Sequence, residues 1–381
     1  MRILTLTLLA LLLSGCSLFG KEDGTEPMEL VDFDSTAKLV KVWSTSVGDG
    51  QGPGLTRMTP VIDGDILYAA DYEGMVMAIN RLTGKKLWVR DLDELLAGGV
   101  GLGAGKLFLG GDNGEIIVLD AANNGAELWR APVSGEVMSV PAGDDAVVAV
   151  QTLDGRLTVF DSNTGTELWF YENPPPRLTL RGRPSPVITS SAVYAAFASG
   201  RLMAFNPKNG LILWEQRVAM PKGRSDLEKM VDVQAAPLLR DGILYVSGYQ
   251  GRLMAIGRAN GRPLWAIDSS SYQELALEEE VLYVTDSDSK VLAYSATSGA
   301  ELWNNAQMLR RLLTGPQVLG GYVVAADDEG YLHVMNKADG QFADRTRIDR
   351  SGVRAPLLAA GEMLYVMAND GTLAAYRVTA R

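Results

Sequence analysis

The residues able to do chemistry in this 381-residue chain are few, and they stand apart from one another. Cys16 is the only cysteine and His333 the only histidine. A disulfide within the chain and a two-histidine metal centre are therefore excluded. His333 lies in the alternating stretch Gly330-Tyr-Leu-His-Val-Met. That pattern is a strand, where an imidazole satisfied by its neighbours is expected; a Ser-His-Asp triad would need Ser and Asp partners, and none is identifiable. Asp286-Ser-Asp288 and Asp327-Asp328-Glu329 occupy the same inter-strand turn of successive repeats. Turn-forming acidity accounts for both, with a weak cation site as the other reading. Gly99-Val-Gly-Leu-Gly-Ala-Gly105 lacks Gly-x-Gly-x-x-Gly spacing and leads into no helix, so it reads as strand and turn rather than a phosphate loop.

Cys16 has a context of its own. One basic residue, an apolar run and the small residues Ser14-Gly15 precede it, and Leu13-Ser14-Gly15-Cys16 resembles the bacterial lipoprotein box. The apolar run is shorter than the ~20 residues a spanning helix takes. The resemblance implies cleavage after residue 15, a diacylglycerol on the Cys16 thiol and acylation of the new amino end; several acyl chains anchor firmly where one binds marginally. Ser17 stands where an Asp would argue for inner-membrane retention, so outer-membrane sorting at the periplasmic face is expected. Residues 16–37 are acidic and weakly patterned and read as a tether, with some order in the second half as the other reading. Asp and Glu outnumber Lys and Arg by 46 to 35, a net charge of -11 that becomes -12 when Arg2 leaves with the signal. That balance argues against nucleic acid and against adsorption to anionic membrane surfaces.

The remainder of the chain is a repeat. Residues 74–88, Gly-Met-Val-Met-Ala-Ile-Asn-Arg-Leu-Thr-Gly-Lys-Lys-Leu-Trp, recur at 114–129, 155–169, 200–214 and 251–265, then at 289–303 with Ser in place of the first Gly. Two worn copies begin at Gly330, which keeps Gly340 but lacks the Trp, and at Gly371, which has neither. Alternation after the first Gly predicts a half-sunk strand, and the turns Asn80-Arg-Leu-Thr-Gly84 and Asp161-Ser-Asn-Thr-Gly165 reverse the chain. A further strand pair precedes each copy, as in Thr59-Pro-Val-Ile, Asp63-Gly64 and Asp65-Ile-Leu-Tyr. Four short antiparallel strands at a period of roughly 40 residues make a propeller blade.

Eight copies predict an all-β fold: an eight-bladed β-propeller of four-stranded antiparallel blades over residues 38–381. The last copy ends before its outer strand, and Lys38-Leu-Val-Lys-Val-Trp43 supplies one from the N-terminal side, closing the ring. The repeated Trp is expected to fill the wedge between blades. No Trp is followed by Asp, unlike WD-type propellers. Gly-x-x-x-Trp blades resemble those of quinoprotein dehydrogenases, which bind pyrroloquinoline quinone in an eight-bladed ring. That resemblance implies an adjacent cysteine pair, calcium ligands and an Asp base; here there is no second cysteine and no clustered calcium loop. A non-enzymatic protein without cofactor or metal is expected, with a periplasmic quinoprotein-type dehydrogenase that binds pyrroloquinoline quinone as the alternative.

The intervals Gly155 to Gly200 and Gly200 to Gly251 are the longest, and their extra residues follow an outer strand in each case. Such connections emerge on the same side of the disc as the turn between second and third strands, so two in succession form one patch. The first carries Pro174-Pro-Pro, which fixes φ and lowers the entropy lost on docking, then Arg177-Leu178-Thr-Leu180-Arg181-Gly-Arg183. Leucines beside arginines on an acidic protein suit a docking patch, or the leucines fold back onto the blade. The lipoprotein box, the eight blades, Leu178-Thr-Leu-Arg181-Gly182, residues 225–237 and Leu309-Arg-Arg-Leu-Leu-Thr314 together resemble the BamB family of outer-membrane protein assembly factors. The resemblance implies a scaffold that binds BamA through its periplasmic polypeptide-transport-associated domains and helps deliver or insert β-barrel precursors. It places partner contacts on Leu178, Leu180, Arg181 and Asp232; Gln234 departs from the family's Asp-Val-Asp pattern. Asp232 either meets the partner or orients Arg181 from within. Unfolded outer-membrane proteins are a second class of ligand, through β-augmentation on an outer blade edge.

Overall fold

The computed structural model describes residues 26–54, 56–180 and 184–381. Its strands form eight four-stranded antiparallel sheets, in seven of which the order of strands across the sheet is their order along the chain. Blades 1 to 7 occupy residues 61–91, 101–132, 142–172, 187–217, 238–269, 276–305 and 317–347. Blade 8 takes Leu358–Ala360, Met363–Met367 and Thr372–Ala380, and its outer strand is Ala37–Ser46 from the other end of the chain. Ala37 lies opposite Ala380 and Ser46 opposite Thr372, so the first and last strands are tied by a full-length ladder. The Gly99–Gly105 stretch is strand and turn, with Gly101–Gly103 leading through Gly105 at φ +72° into Lys106–Gly110.

Local chemistry sets the repeat. Between third and fourth strands, Asn80 Oδ1 accepts from the Leu82 and Thr83 amides at 3.2 and 3.0 Å, while Gly84 completes the turn at φ +73°. Asp161 and Gly165 repeat this arrangement. Between second and third strands a carboxylate does similar work: Asp71 Oδ1 accepts from Met75 N, Asp286 Oδ1 from Lys290 N and Asp327 Oδ1 from Tyr331 N. The acidic runs are thus turn-forming. Among the described residues no group of three or more His, Cys, Asp or Glu side chains converges as a metal site would need.

Middle strands such as Ile66–Ala70 and Met75–Asn80 are buried on both faces, not on one as the alternation after the first Gly predicts, because each sheet is sandwiched between its neighbours. Tyr194 and Leu202 of blade 4 share a core cluster with Leu244 and Met254 of blade 5.

The Trp residues fill the wedges, but each pairs with the glycine of the following copy. A Cβ on Gly210 of blade 4 would lie 2.7 Å from Trp169 Cδ2 of blade 3, and one on Gly261 of blade 5 would lie 2.6 Å from Trp214 Cδ2 of blade 4. Trp43 covers Gly84, Trp88 covers Gly125, Trp129 covers Gly165, Trp265 covers Gly299 and Trp303 covers Gly340 in the same way. Six indoles also donate to a backbone carbonyl in that turn, as Trp169 Nε1 does to Pro207 O at 2.8 Å and Trp303 Nε1 to Lys337 O at 2.9 Å. This explains the worn copies. Blade 7 keeps Gly340 because Trp303 of blade 6 needs it, and the blade 7 to blade 8 interface has lost Trp and Gly together. Asp344 stands there in the Trp slot, opposite Val334 as Trp88 is opposite Ala78, and accepts Leu39 N at 2.6 Å.

Candidate docking rim

The turn between second and third strands and the connection from one blade to the next share one face of the disc. The two long connections therefore lie side by side there, as their spacing predicts. Residues 173–186 leave blade 3, and Leu178 in this segment is 44 % exposed. Leu180 is half-buried, and its amide donates to Asp232 Oδ2 at 3.2 Å across to the second connection. Asp232 is fully buried between the equally buried Val231 and Val233. It also accepts Tyr249 N on its carbonyl at 2.8 Å, which fixes it against the second-to-third-strand turn of blade 5. The structure thus brings Leu180 and Asp232 together. Arg181, Gly182 and Arg183 lie outside the described residues, as does Cys16.

The second connection has a local cause for its shape. Ser225-Asp-Leu-Glu228 is a reciprocal cap: Glu228 Oε2 accepts from Arg224 N and Ser225 N at 2.7 and 3.0 Å, and Ser225 Oγ accepts from Glu228 N at 3.2 Å. Those amides hold the Glu228 carboxyl below its ordinary value. The single turn so closed leaves Leu227 65 % exposed, with Met220 also exposed three residues beyond the end of blade 4. Leu312, on the blade 6 to blade 7 connection, is exposed on the same rim.

Inside this rim the disc axis opens as a cavity of about 500 Å³. Leu180, Tyr249, Tyr272 and Leu312 give it apolar and aromatic walls, and Arg57 and Arg354 give it cations. Arg354 is held by carbonyls rather than carboxylates, with Nη2 donating to Gly52 O at 3.1 Å and Nη1 to Gly54 O. Burial pushes the Tyr272 hydroxyl up. The rim thus offers exposed leucines, and a mouth into which an apolar side chain could enter, on a backbone pinned by one buried carboxylate.

His333 sits elsewhere and is structural. It is fully buried in blade 7, its Nε2 lies 2.9 Å from Asp327 Oδ2, and Arg345 Nε donates to its Nδ1 at 3.3 Å. Arg311 Nε reaches the same Asp327 oxygen at 2.7 Å. Burial lowers the imidazole's affinity for a proton, as do both arginines, and they outweigh Asp327. A neutral ring that accepts at Nδ1 and donates at Nε2 satisfies both neighbours. Burial alone would raise Asp327, but its hydrogen bonds to His333, Tyr331 N and Arg311 hold it below the ordinary range.

Sequence reasoning drew on the stretches 225–237 and 309–314 without singling out Leu227 or Leu312, and it missed the axial cavity and the arginine network. The Ser225-x-x-Glu228 spacing was a readable signal for Leu227. The rest depend on residues drawn from several blades.

The family model described as "Outer membrane protein assembly factor BamB" matches residues 21–94, 72–305 and 287–380. The chain is 42% identical over 370 residues to the outer membrane protein assembly factor BamB of Pseudomonas aeruginosa, covering 97% of each. It is 32% identical over 377 residues to that of Yersinia pestis, covering 96% of each. Among solved structures, BamB from Moraxella catarrhalis superposes with a TM-score of 0.80 at 24% identity, over 89% of this chain and 100% of that one. The quinohemoprotein alcohol dehydrogenase of Comamonas testosteroni superposes with a TM-score of 0.69 at 15% identity, over 89% of this chain and 76% of that one. At that identity the likeness to the dehydrogenase is one of fold alone, and a lone cysteine cannot supply the adjacent pair that the quinoprotein resemblance implies. With both sequence relatives matched almost end to end, this chain belongs to the outer membrane protein assembly factor BamB family, a family of assembly factors and not of enzymes.

Proposed function

We propose that the protein is a lipid-anchored scaffold of the outer-membrane β-barrel assembly complex that binds the periplasmic domains of BamA through the rim described above. In this reading residues 1–15 are a signal, Cys16 carries the acyl chains, and the propeller stands on the periplasmic face of the outer membrane. Leu178 and Leu180 enter an apolar recess of the partner, and Arg181 makes a charge-assisted contact to an acidic group on it. Asp232 acts from within: fully buried, it holds the Leu180 amide and so fixes the backbone at Leu180. The observation that carries the reading is this single contact, which joins two long connections into one pre-ordered surface and spares the entropy of ordering them on binding.

Arg181→Glu tests it. Co-purification with BamA should weaken by at least about 2 kcal/mol, about thirtyfold in affinity, if the contact is buried and paired. An unchanged pull-down from a variant with native circular dichroism would remove the rim from the interface.

A further inference from the structure

Residues 26–36, expected as part of a tether, are laid against the propeller. Thr36 N donates to Ala343 O at 3.0 Å at the start of the outer strand Phe342–Arg347 of blade 7. From there, read towards the N-terminus, the segment follows that strand along its length. Phe33 stacks on Phe342 with ring centroids 5.0 Å apart, and Arg345 Nη1 donates to Val31 O at 2.8 Å. Met28 N donates to Leu309 O at 2.9 Å, Arg311 Nη1 to Met28 O at 3.0 Å and Arg310 Nε to Glu26 O at 2.6 Å. Val31 and Phe33 pack against the core around Met308, Leu313 and Phe342. Arg311 and Arg345 are set from inside the blade by Asp327, Glu329 and His333, and each turns an N–H outwards to a strap carbonyl.

The topology gives this strap a consequence. Strand Ala37–Ser46 runs from Ala37, at the far face of the disc, to Ser46 at the docking rim, because Ala37 pairs with the last residue of Thr372–Ala380 and Ser46 with its first. A chain leaving the propeller at Ala37 would leave from the face opposite the rim. The strap carries it back up the height of blade 7 to Leu309–Arg311, beside the exposed Leu312 on the docking rim.

We infer that the strap is an orienting device, which moves the departure point of the anchor leash to the docking rim and so turns that rim, rather than the opposite face, towards the lipid surface. The inference rests on acylation of Cys16, proposed above. Glu26 is ten residues on from Cys16. Ten residues reach at most about 35 Å and, as a flexible coil, span about 17 Å. Released at Ala37, the leash would be 21 residues long. It would then span about 25 Å as a coil and would start from a face about 30 Å away, the rise of a nine-residue strand.

The experiment uses the full chain purified from membranes, with intact mass read first, and reconstituted in vesicles that carry an energy acceptor on their headgroups. With Cys16 acylated, a single new thiol takes the donor dye: Leu312→Cys on the docking rim, or Glu362→Cys in the far-face turn of blade 8. Transfer from position 312 should exceed that from 362 by at least about twofold, given the strand-length separation of the two faces. Val31→Ala with Phe33→Ala, folded by circular dichroism, should bring the ratio close to one. Acylated protein with equal transfer, or with more transfer from 362, would overturn the inference and leave the docking rim untouched. A mature protein without acyl mass and without vesicle binding would overturn the anchor and the inference with it.

Discussion

Trp169 and Gly210 belong to different copies of the repeat, and their interlock can be measured as a coupling energy. Trp169 is 8 % exposed, packs on Phe205 with centroids 5.7 Å apart, and donates to Pro207 O at 2.8 Å. Trp169→Ala should cost about 3–5 kcal/mol, through a cavity between blades 3 and 4 and an unpaired carbonyl. Gly210→Ala carries two separable penalties. Its φ of +69° puts any Cβ in the left-handed region, at about 1–2 kcal/mol. The added methyl would also stand 2.7 Å from Trp169 Cδ2, closer than carbon atoms approach, so the indole must shift and stretch its hydrogen bond. Only the second penalty requires the indole. In a double-mutant cycle read by urea unfolding, Gly210→Ala should therefore cost less in the Trp169→Ala background by about 1–2 kcal/mol. Equal cost in both backgrounds would refute the interlock, and a Trp169→Ala cost below about 1 kcal/mol would refute the wedge itself.

Asp232→Ala should cost about 1–3 kcal/mol in a urea melt, because the Leu180 amide loses its buried acceptor while the main-chain bond to Tyr249 stays, and should weaken BamA co-purification without unfolding the ring. Asp232→Asn keeps an acceptor for Leu180 and should lie between the two; a pull-down as strong for Ala as for the native residue would separate Asp232 from docking. His333 has a folded-state pKa below its ordinary value of 6.5, so its contribution is whole above that value and is lost as pH falls from there towards the folded pKa. The unfolded chain takes up the proton first. Stability should fall by about 1 kcal/mol per pH unit below about pH 6.5 in urea melts, and His333→Gln should flatten that slope. An unchanged slope in His333→Gln would assign the pH dependence to other groups.

Much of the ring was legible because its causes are local. A Gly entering the third strand, an Asn or Asp closing a turn onto a second glycine, and a Trp at constant offset are each set by residues within a few positions of one another, so eight copies could be counted and the missing outer strand matched to residues 38–47. The side of the disc on which the long connections emerge also followed, since up-and-down strands leave no other choice. The pairing of Trp with Gly was less legible. Both lie in every full copy, yet each indole meets the glycine of the next copy, and only the worn blade 7, which keeps Gly340 without a Trp, hinted at that. The docking place of the strap was hidden for a similar reason: Val31 and Phe33 alternate with Asp32 and Asp34 as a half-buried strand would, which allows order there, but their partners lie some three hundred positions away in blade 7.

The amino-acid sequence by itself determined the blade, the number of blades and the closure of the ring, because each rests on a short pattern that repeats. Tertiary structure alone decided that Asp232 faces inward to Leu180 and not outward, and that residues 26–36 return to the docking rim instead of trailing from the far face. Both depend on groups that folding brings into contact from separate parts of the chain. A local pattern carries no record of such neighbours.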